Sequence, residues 1–84
     1  MPKKLYVANL NYETQEKELN ALFLPYGKII SVALMRDKET KRPTGVGFIN
    51  FEAEESAEKA LAVHGEEFMG RKLKVSYARE KARQ

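Results

Sequence analysis

Residues 44–51, TGVGFINF, decide the fold because their side chains alternate between two environments along one predicted β-strand. Successive side chains of a strand point to opposite sides of a sheet. Ile49 is predicted to face an apolar core, so Phe48 points to the other side. Residues 5–10, LYVANL, alternate in the same way and leave Tyr6 pointing outward. The two stretches therefore predict two strands that present aromatic rings on one sheet face.

The hydrophobic spacing outside these stretches predicts two helices and two further strands. The first helix is expected to begin at the N-cap Thr14 and to carry the buried stripe Leu19, Leu22, Phe23 and Tyr26. In the strand predicted over residues 29–35, the alternation places Ile30, Val32 and Leu34 on one side, and Ser31, Ala33 and Met35 on the other. The remaining predictions are a helix from about 54 to 63 and a strand over 72–77.

This order of elements, β-α-β-β-α-β, predicts an α+β fold of the ferredoxin-like, split βαβ type. Both helices are expected on one face of a four-stranded antiparallel sheet. With 84 residues the chain has the length of one domain. We expect its core over about residues 3–79 and a polar C-terminal tail over 80–84. One face of the sheet should then be open to water.

The charges are distributed unevenly along the sequence. Residues 13–26 and 52–67, which contain the predicted helices, hold nine of the 12 acidic residues and only two lysines. The rest of the chain holds 13 of the 15 Lys and Arg residues. Because the helices cover one sheet face, the other face and its rim should be strongly basic. A one-sided basic surface of this kind attracts polyanions.

Several function classes are disfavoured by composition. With Cys 0 the chain has no disulfide framework, thiolate nucleophile or Cys-ligated zinc. The single histidine, His64, follows the second predicted helix and is interpreted as a cation at a helix C-terminus. We therefore expect no enzyme activity, no cofactor and no metal site. No apolar run approaches a membrane span. A monomeric cytoplasmic protein, or a nuclear one in a eukaryote, is the expectation.

The two strand motifs resemble those of the RNA-recognition motif family. Residues 5–10 are similar to its hexapeptide and residues 44–51 to its octapeptide. The similarity extends over roughly residues 3–79 and, in length, is close to that of small single-domain proteins of bacterial type. The resemblance implies single-stranded RNA as the ligand, with single-stranded DNA as a further candidate. It also implies that Tyr6 and Phe48 each stack on one of two neighbouring bases.

Two octapeptide positions depart from the family pattern. Val46 stands where most members have an aromatic ring that packs against a sugar, and Thr44 stands where a basic residue contacts a phosphate. Other polar and basic side chains are predicted to contact RNA from the open face, its rim and the loop between the second and third strands. These are Asn9, Lys4, Lys72, Lys74, Ser76, Arg79, Arg36, Lys41 and Arg42.

A protein-binding module is the alternative function. Some relatives bind peptides through an acidic first helix and an Arg-any-Phe motif before the last strand. Here the helix is acidic, but residues 66–68 are Glu-Glu-Phe and lack the arginine. A protein partner is thus a second possibility beside RNA.

Overall fold

The sheet predicted from the alternating stretches is the centre of the computed structural model, which describes residues 3–78. The predicted tail and Arg79 lie outside the described residues. Helix and strand bounds follow the chain in this order: β1 Lys4–Ala8, α1 Glu16–Phe23, a 3₁₀ turn Leu24–Tyr26, β2 Ile29–Arg36, β3 Pro43–Phe51, α2 Glu54–Ala60, a 3₁₀ turn Leu61–Val63, β4 Glu67–Phe68, β5 Arg71–Lys72 and β6 Lys74–Tyr77.

Within residues 3–78, four of these strands form one antiparallel sheet in the order β2-β3-β1-β6. The two motif strands, β1 and β3, are the central pair. The short strands β4 and β5 form a separate hairpin. The predicted fold class is confirmed: an α+β sandwich with a four-stranded antiparallel sheet and two α-helices. No helix in this part of the chain is long and apolar enough to cross a membrane.

The core lies between the helices and one face of the sheet. Each central strand contributes alternate residues to it, and Leu5 pairs directly with Ile49, both fully buried. Phe23 of α1 meets Phe51 of β3 edge to face, with ring centroids 6.4 Å apart. Ala57 of α2 is also fully buried in this cluster. Burial of these apolar side chains is the main force holding the helices on this face.

The prediction for β2 is wrong at Ile30. The pairing register between β2 and β3 shifts between Ile29 and Ser31, which marks a β-bulge. An extra residue in one strand interrupts the alternation of faces. As a result Ile29 packs against the core, and Ile30 is 59% exposed. Val32 and Leu34 follow the bulge in the predicted phase and are packed against the core.

The start of α1 also differs from the prediction. Its N-cap is Gln15 rather than Thr14. The Gln15 backbone N–H donates to the Glu18 carboxylate at 2.7 Å, which is the reciprocal half of a capping box. Thr14 is instead buried, and its hydroxyl donates to the Met69 sulfur at 3.4 Å. Leu22 of the predicted stripe is only half-buried, at the edge of the core.

The C-terminal part of the chain divides the predicted last strand in two. Residues 71 and 72 belong to the hairpin, and β6 begins at Lys74. Leu73 and Val75 are buried as predicted. His64 follows the second 3₁₀ turn, and its ring nitrogen Nδ1 accepts a hydrogen bond from the Val75 backbone N–H at 3.0 Å. The histidine thereby satisfies a donor of β6, an edge strand of the sheet.

The turn between α1 and β2 requires glycine at position 27. Gly27 has φ +150°, and a Cβ there would overlap the Ser56 hydroxyl of α2. Gly65, at φ +86°, has open space where its Cβ would be.

We expect Gly27→Ala to lower the free energy of unfolding by about 1–3 kcal/mol more than Gly65→Ala, because only the first adds a clash to backbone strain. Urea denaturation of both variants measures the difference, and equal losses would contradict it.

Candidate nucleic-acid interface

No described element covers the second face of the sheet, and the aromatic pair lies at its centre. Tyr6 of β1 is directly opposite Phe48 of β3. Phe48 is in turn opposite Ala33 of β2, and Tyr6 is opposite Ser76 of β6. One row of side chains thus crosses all four strands on the same face. Both aromatic residues are half-buried, so part of each ring is open to solvent.

Contacts between the two rings and a lysine define the geometry of this aromatic platform, Tyr6 and Phe48. The ring centroids are 5.7 Å apart and the ring planes meet at 64°, an edge-to-face contact. The Lys4 ammonium lies over the Phe48 ring, 5.1 Å from its centroid. A cation at this distance from an aromatic face is attracted by it. Lys4 is therefore held beside the platform, where it can meet a phosphate.

Val46 and Thr44 lie on the same face as Phe48, along β3, as the alternation predicted. Val46 is half-buried and Thr44 is exposed. The Thr44 hydroxyl donates to the Met35 carbonyl oxygen at 3.3 Å, a contact to the neighbouring strand β2. This end of the face is thus aliphatic and neutral, where the octapeptide pattern has an aromatic ring and a cation.

Asn9 joins the end of β1 to the β4–β5 hairpin. It has a left-handed backbone conformation, with φ 64°. Its side-chain amide donates to the Lys72 carbonyl oxygen at 2.8 Å, and its Oδ1 accepts from the Arg71 guanidinium at 2.6 and 3.2 Å. Both ends of the amide are therefore engaged within the protein. A base contact by Asn9 stays a prediction, and it would compete with these bonds.

Arg71 was not among the predicted site residues, although it holds Asn9 and adds a cation at this end of the sheet. The sequence signal was its place beside Lys72 in the basic run after Gly70. Lys72 itself is exposed on the hairpin, outside the four-stranded sheet. Lys74 and Ser76 are exposed on β6, where Lys74 is opposite Ala8 and Ser76 opposite Tyr6.

The loop between β2 and β3 is ordered by one carboxylate. The backbone N–H groups of Thr40 and Glu39 donate to Asp37 Oδ1 at 3.1 and 2.8 Å. These bonds stabilise the charged form and hold the pKa of the Asp37 carboxyl below its usual value. The Asp37 N–H also donates to the Arg42 carbonyl oxygen at 2.8 Å, which closes the loop.

Of the three predicted cations of this loop, Arg36 is bonded within the loop, since its guanidinium donates to the Lys41 carbonyl oxygen at 3.4 Å. Lys41 and Arg42 are exposed at the loop itself. Arg36 pairs with Pro43 at the end of β2 and lines a cleft with the first turn of α1, on the helix side. The open face therefore brings together Lys4, Tyr6, Phe48, Val46, Lys74 and Ser76, whereas Arg36 is separate from them. The described residues contain no group of His, Asp and Glu placed to hold a metal ion.

Comparisons with known proteins agree with this architecture. A family model described as RNA recognition motif matches residues 5–74. The crystal structure of RNA-binding protein PG1 is 39% identical, with TM-score 0.89, over 96% of this chain and 99% of that one. A Sxl-lethal protein–RNA complex is 32% identical, with TM-score 0.90, over 98% of this chain and 50% of that one. The Rna15 RRM with bound RNA (GU) is 27% identical, with TM-score 0.84, over 95% and 86%.

The chain belongs to the RNA recognition motif family. The resemblance inferred from the two motifs is thus confirmed. This family consists of RNA-binding domains and is not a class of enzymes. The alternative of a protein-binding module is not favoured, because the family is one of RNA-binding domains and similar structures include complexes with RNA.

Proposed function

We propose that this chain binds single-stranded RNA across the open face of its sheet, with one base on Tyr6 and its neighbour on Phe48. The observation that carries the proposal is the direct pairing of these two half-exposed rings on a face that no described element covers. A large apolar side chain on such a face exposes apolar surface to water, which is unfavourable unless a ligand covers it. Bases are suitable ligands because each has a flat π-face.

The charges around the platform suit a sugar–phosphate backbone. Lys4 stands over one ring, Lys74 lies on the same face, and Lys72 and Arg71 lie at the sheet end where β1 stops. The acidic residues lie mainly on and beside the helices of the other face. A strand of RNA would therefore be attracted to one face and repelled from the opposite one.

Single-stranded RNA is favoured over a duplex because stacking on side chains requires bases that are not already stacked. Single-stranded DNA offers the same π-faces and phosphates but lacks the 2′-hydroxyl. It is therefore the comparison ligand in each experiment, and we propose that it binds more weakly. The module is proposed to act as a monomer, since one copy carries a complete platform.

Removal of either platform ring should weaken binding without unfolding the protein. We expect Phe48→Ala and Tyr6→Ala each to cost about 1–3 kcal/mol of binding free energy, because each takes away one base-stacking surface. Leu24→Ala is the matched control, since Leu24 is 54% exposed on the helix layer. Fluorescence anisotropy with a labelled, random-sequence RNA of eight nucleotides measures the affinities. Full affinity in both ring variants would refute the proposal.

Binding should also weaken steeply with salt. For single strands the slope of log affinity against log salt is about −0.7 per phosphate neutralised, and we expect about two to four such contacts. Lys74→Ala should make the slope shallower by about one contact. Lys59→Ala, in the last turn of α2, should leave it unchanged. A slope near zero in the unaltered protein would favour an uncharged ligand or a protein partner.

An aromatic ring at position 46 should increase affinity. Val46 lies two residues before Phe48 on the same face, and it is partly exposed, so a larger side chain meets no core wall. We expect Val46→Phe to bind the same RNA several-fold more tightly, and the double variant with Thr44→Arg more tightly still. The gain should appear as slower dissociation, as is usual for changes within one interface. A folded Val46→Phe with unchanged dissociation would show that the ligand does not reach this position.

A further inference from the structure

Tyr12 is the most exposed large hydrophobic side chain in the described part of the chain, with 64% of its surface open to solvent. It lies in the connection between β1 and α1, outside the aromatic platform. Within residues 3–78 no hydrogen bond holds its hydroxyl. An aromatic ring so exposed is not explained by the core, to which it does not belong.

The Tyr12 ring lies against the backbone of β3. Its Cε1 atom lies 3.3 Å from the position that a Cβ would occupy at Gly45, a residue with φ +85°. The neighbouring Leu10 N–H donates to the Gly45 carbonyl oxygen at 2.9 Å. The glycine thus leaves room for the ring edge. The rest of the ring projects into solvent, since 64% of the Tyr12 surface is exposed.

The loop that carries Tyr12 is held from both directions. The Asn11 side-chain amide donates to the Met69 carbonyl oxygen at 3.0 Å, and its Oδ1 accepts from the Glu13 N–H at 2.8 Å. Before it, Asn9 is fixed by Arg71. A ring on such a clamped loop loses little conformational freedom when a ligand stacks on it, which favours binding.

Basic residues lie on or next to the two segments that are hydrogen-bonded to residues 9–11, just before Tyr12. Lys41 and Arg42 lie on the loop that leads into β3. Arg71 and Lys72 lie on the hairpin bonded to the end of β1. A phosphate backbone that runs off the face past Val46 would therefore pass between two basic groups. Tyr12 is the aromatic residue next to that path.

We propose that Tyr12 is a third nucleobase-stacking site, used by a nucleotide that leaves the open face at the Val46 end. The inference rests on the proposed function, because it extends the path of the same RNA strand. Position 46 of the open face has no aromatic ring. Tyr12, whose ring lies against Gly45, would supply a stacking surface near that end of the face.

The experiment compares three variants at this position with the same labelled, random-sequence RNA of eight nucleotides. Tyr12→Ala should weaken binding about 5- to 150-fold, the equivalent of one lost base stack. Tyr12→Phe should bind like the unaltered protein, because stacking needs the ring and not the hydroxyl. Tyr12→Trp supplies a unique fluorophore, since the chain has Trp 0. Its emission should be quenched as RNA is added, with the same midpoint as the anisotropy.

The results separate this inference from the proposed function. Weakened Tyr12→Ala together with a quenched Tyr12→Trp supports the third site. If Tyr12→Ala binds normally while Phe48→Ala is impaired, the third site is overturned and the platform stands. If neither variant is impaired, the proposed function fails as well. Should circular dichroism show that Tyr12→Ala is unfolded, the Tyr12→Trp emission decides, and an unquenched signal in the presence of saturating RNA overturns the inference.

Discussion

The register between β1 and β3 is the constraint on which the rest of the structure depends. Leu5 is opposite Ile49 in the core, and the next pair along, Tyr6 and Phe48, is opposite on the open face. A shift of one strand by a single residue would move its buried side chains to solvent and its exposed ring into the core. The apolar core therefore fixes the aromatic platform. Any ligand of the platform gains from a geometry that folding already stabilises.

Charge separation follows from the same two-sided construction. Glu16 and Glu18 lie in the first turn of α1, and Glu54 and Glu55 lie in the first turn of α2. Acidic residues at helix N-termini interact favourably with the helix dipole. The helices thus have a local reason to be acidic, independent of any ligand. Because the helices cover one face only, basic residues dominate the other side. The electrostatic potential is therefore more positive on the open face than the modest net charge alone would suggest.

How much could be predicted from sequence depended on whether a feature is set locally. The platform ring Phe48 follows from period-two alternation and was placed correctly. Ile30 was misplaced because a β-bulge shifts the phase without a local sequence signal. The sequence predicts Thr14 as the N-cap because its hydroxyl suits that role, yet in the structure this hydroxyl donates to the Met69 sulfur instead. The hydrogen bonds of Asn9 could not be predicted from sequence, since its partners are more than 60 residues away along the chain.

The angle between the platform rings limits how an RNA strand can cross the face. A base stacked flat on Phe48 is steeply inclined to Tyr6, because the two ring planes meet at 64°. Two parallel bases would require one ring to turn and to give up an edge-to-face contact worth about 0.5–1.5 kcal/mol. If the rings keep their angle, the strand must bend between the two bases. A strand bent in this way cannot keep its neighbouring bases stacked on one another, so the angle between the rings favours a flexible single strand as the ligand.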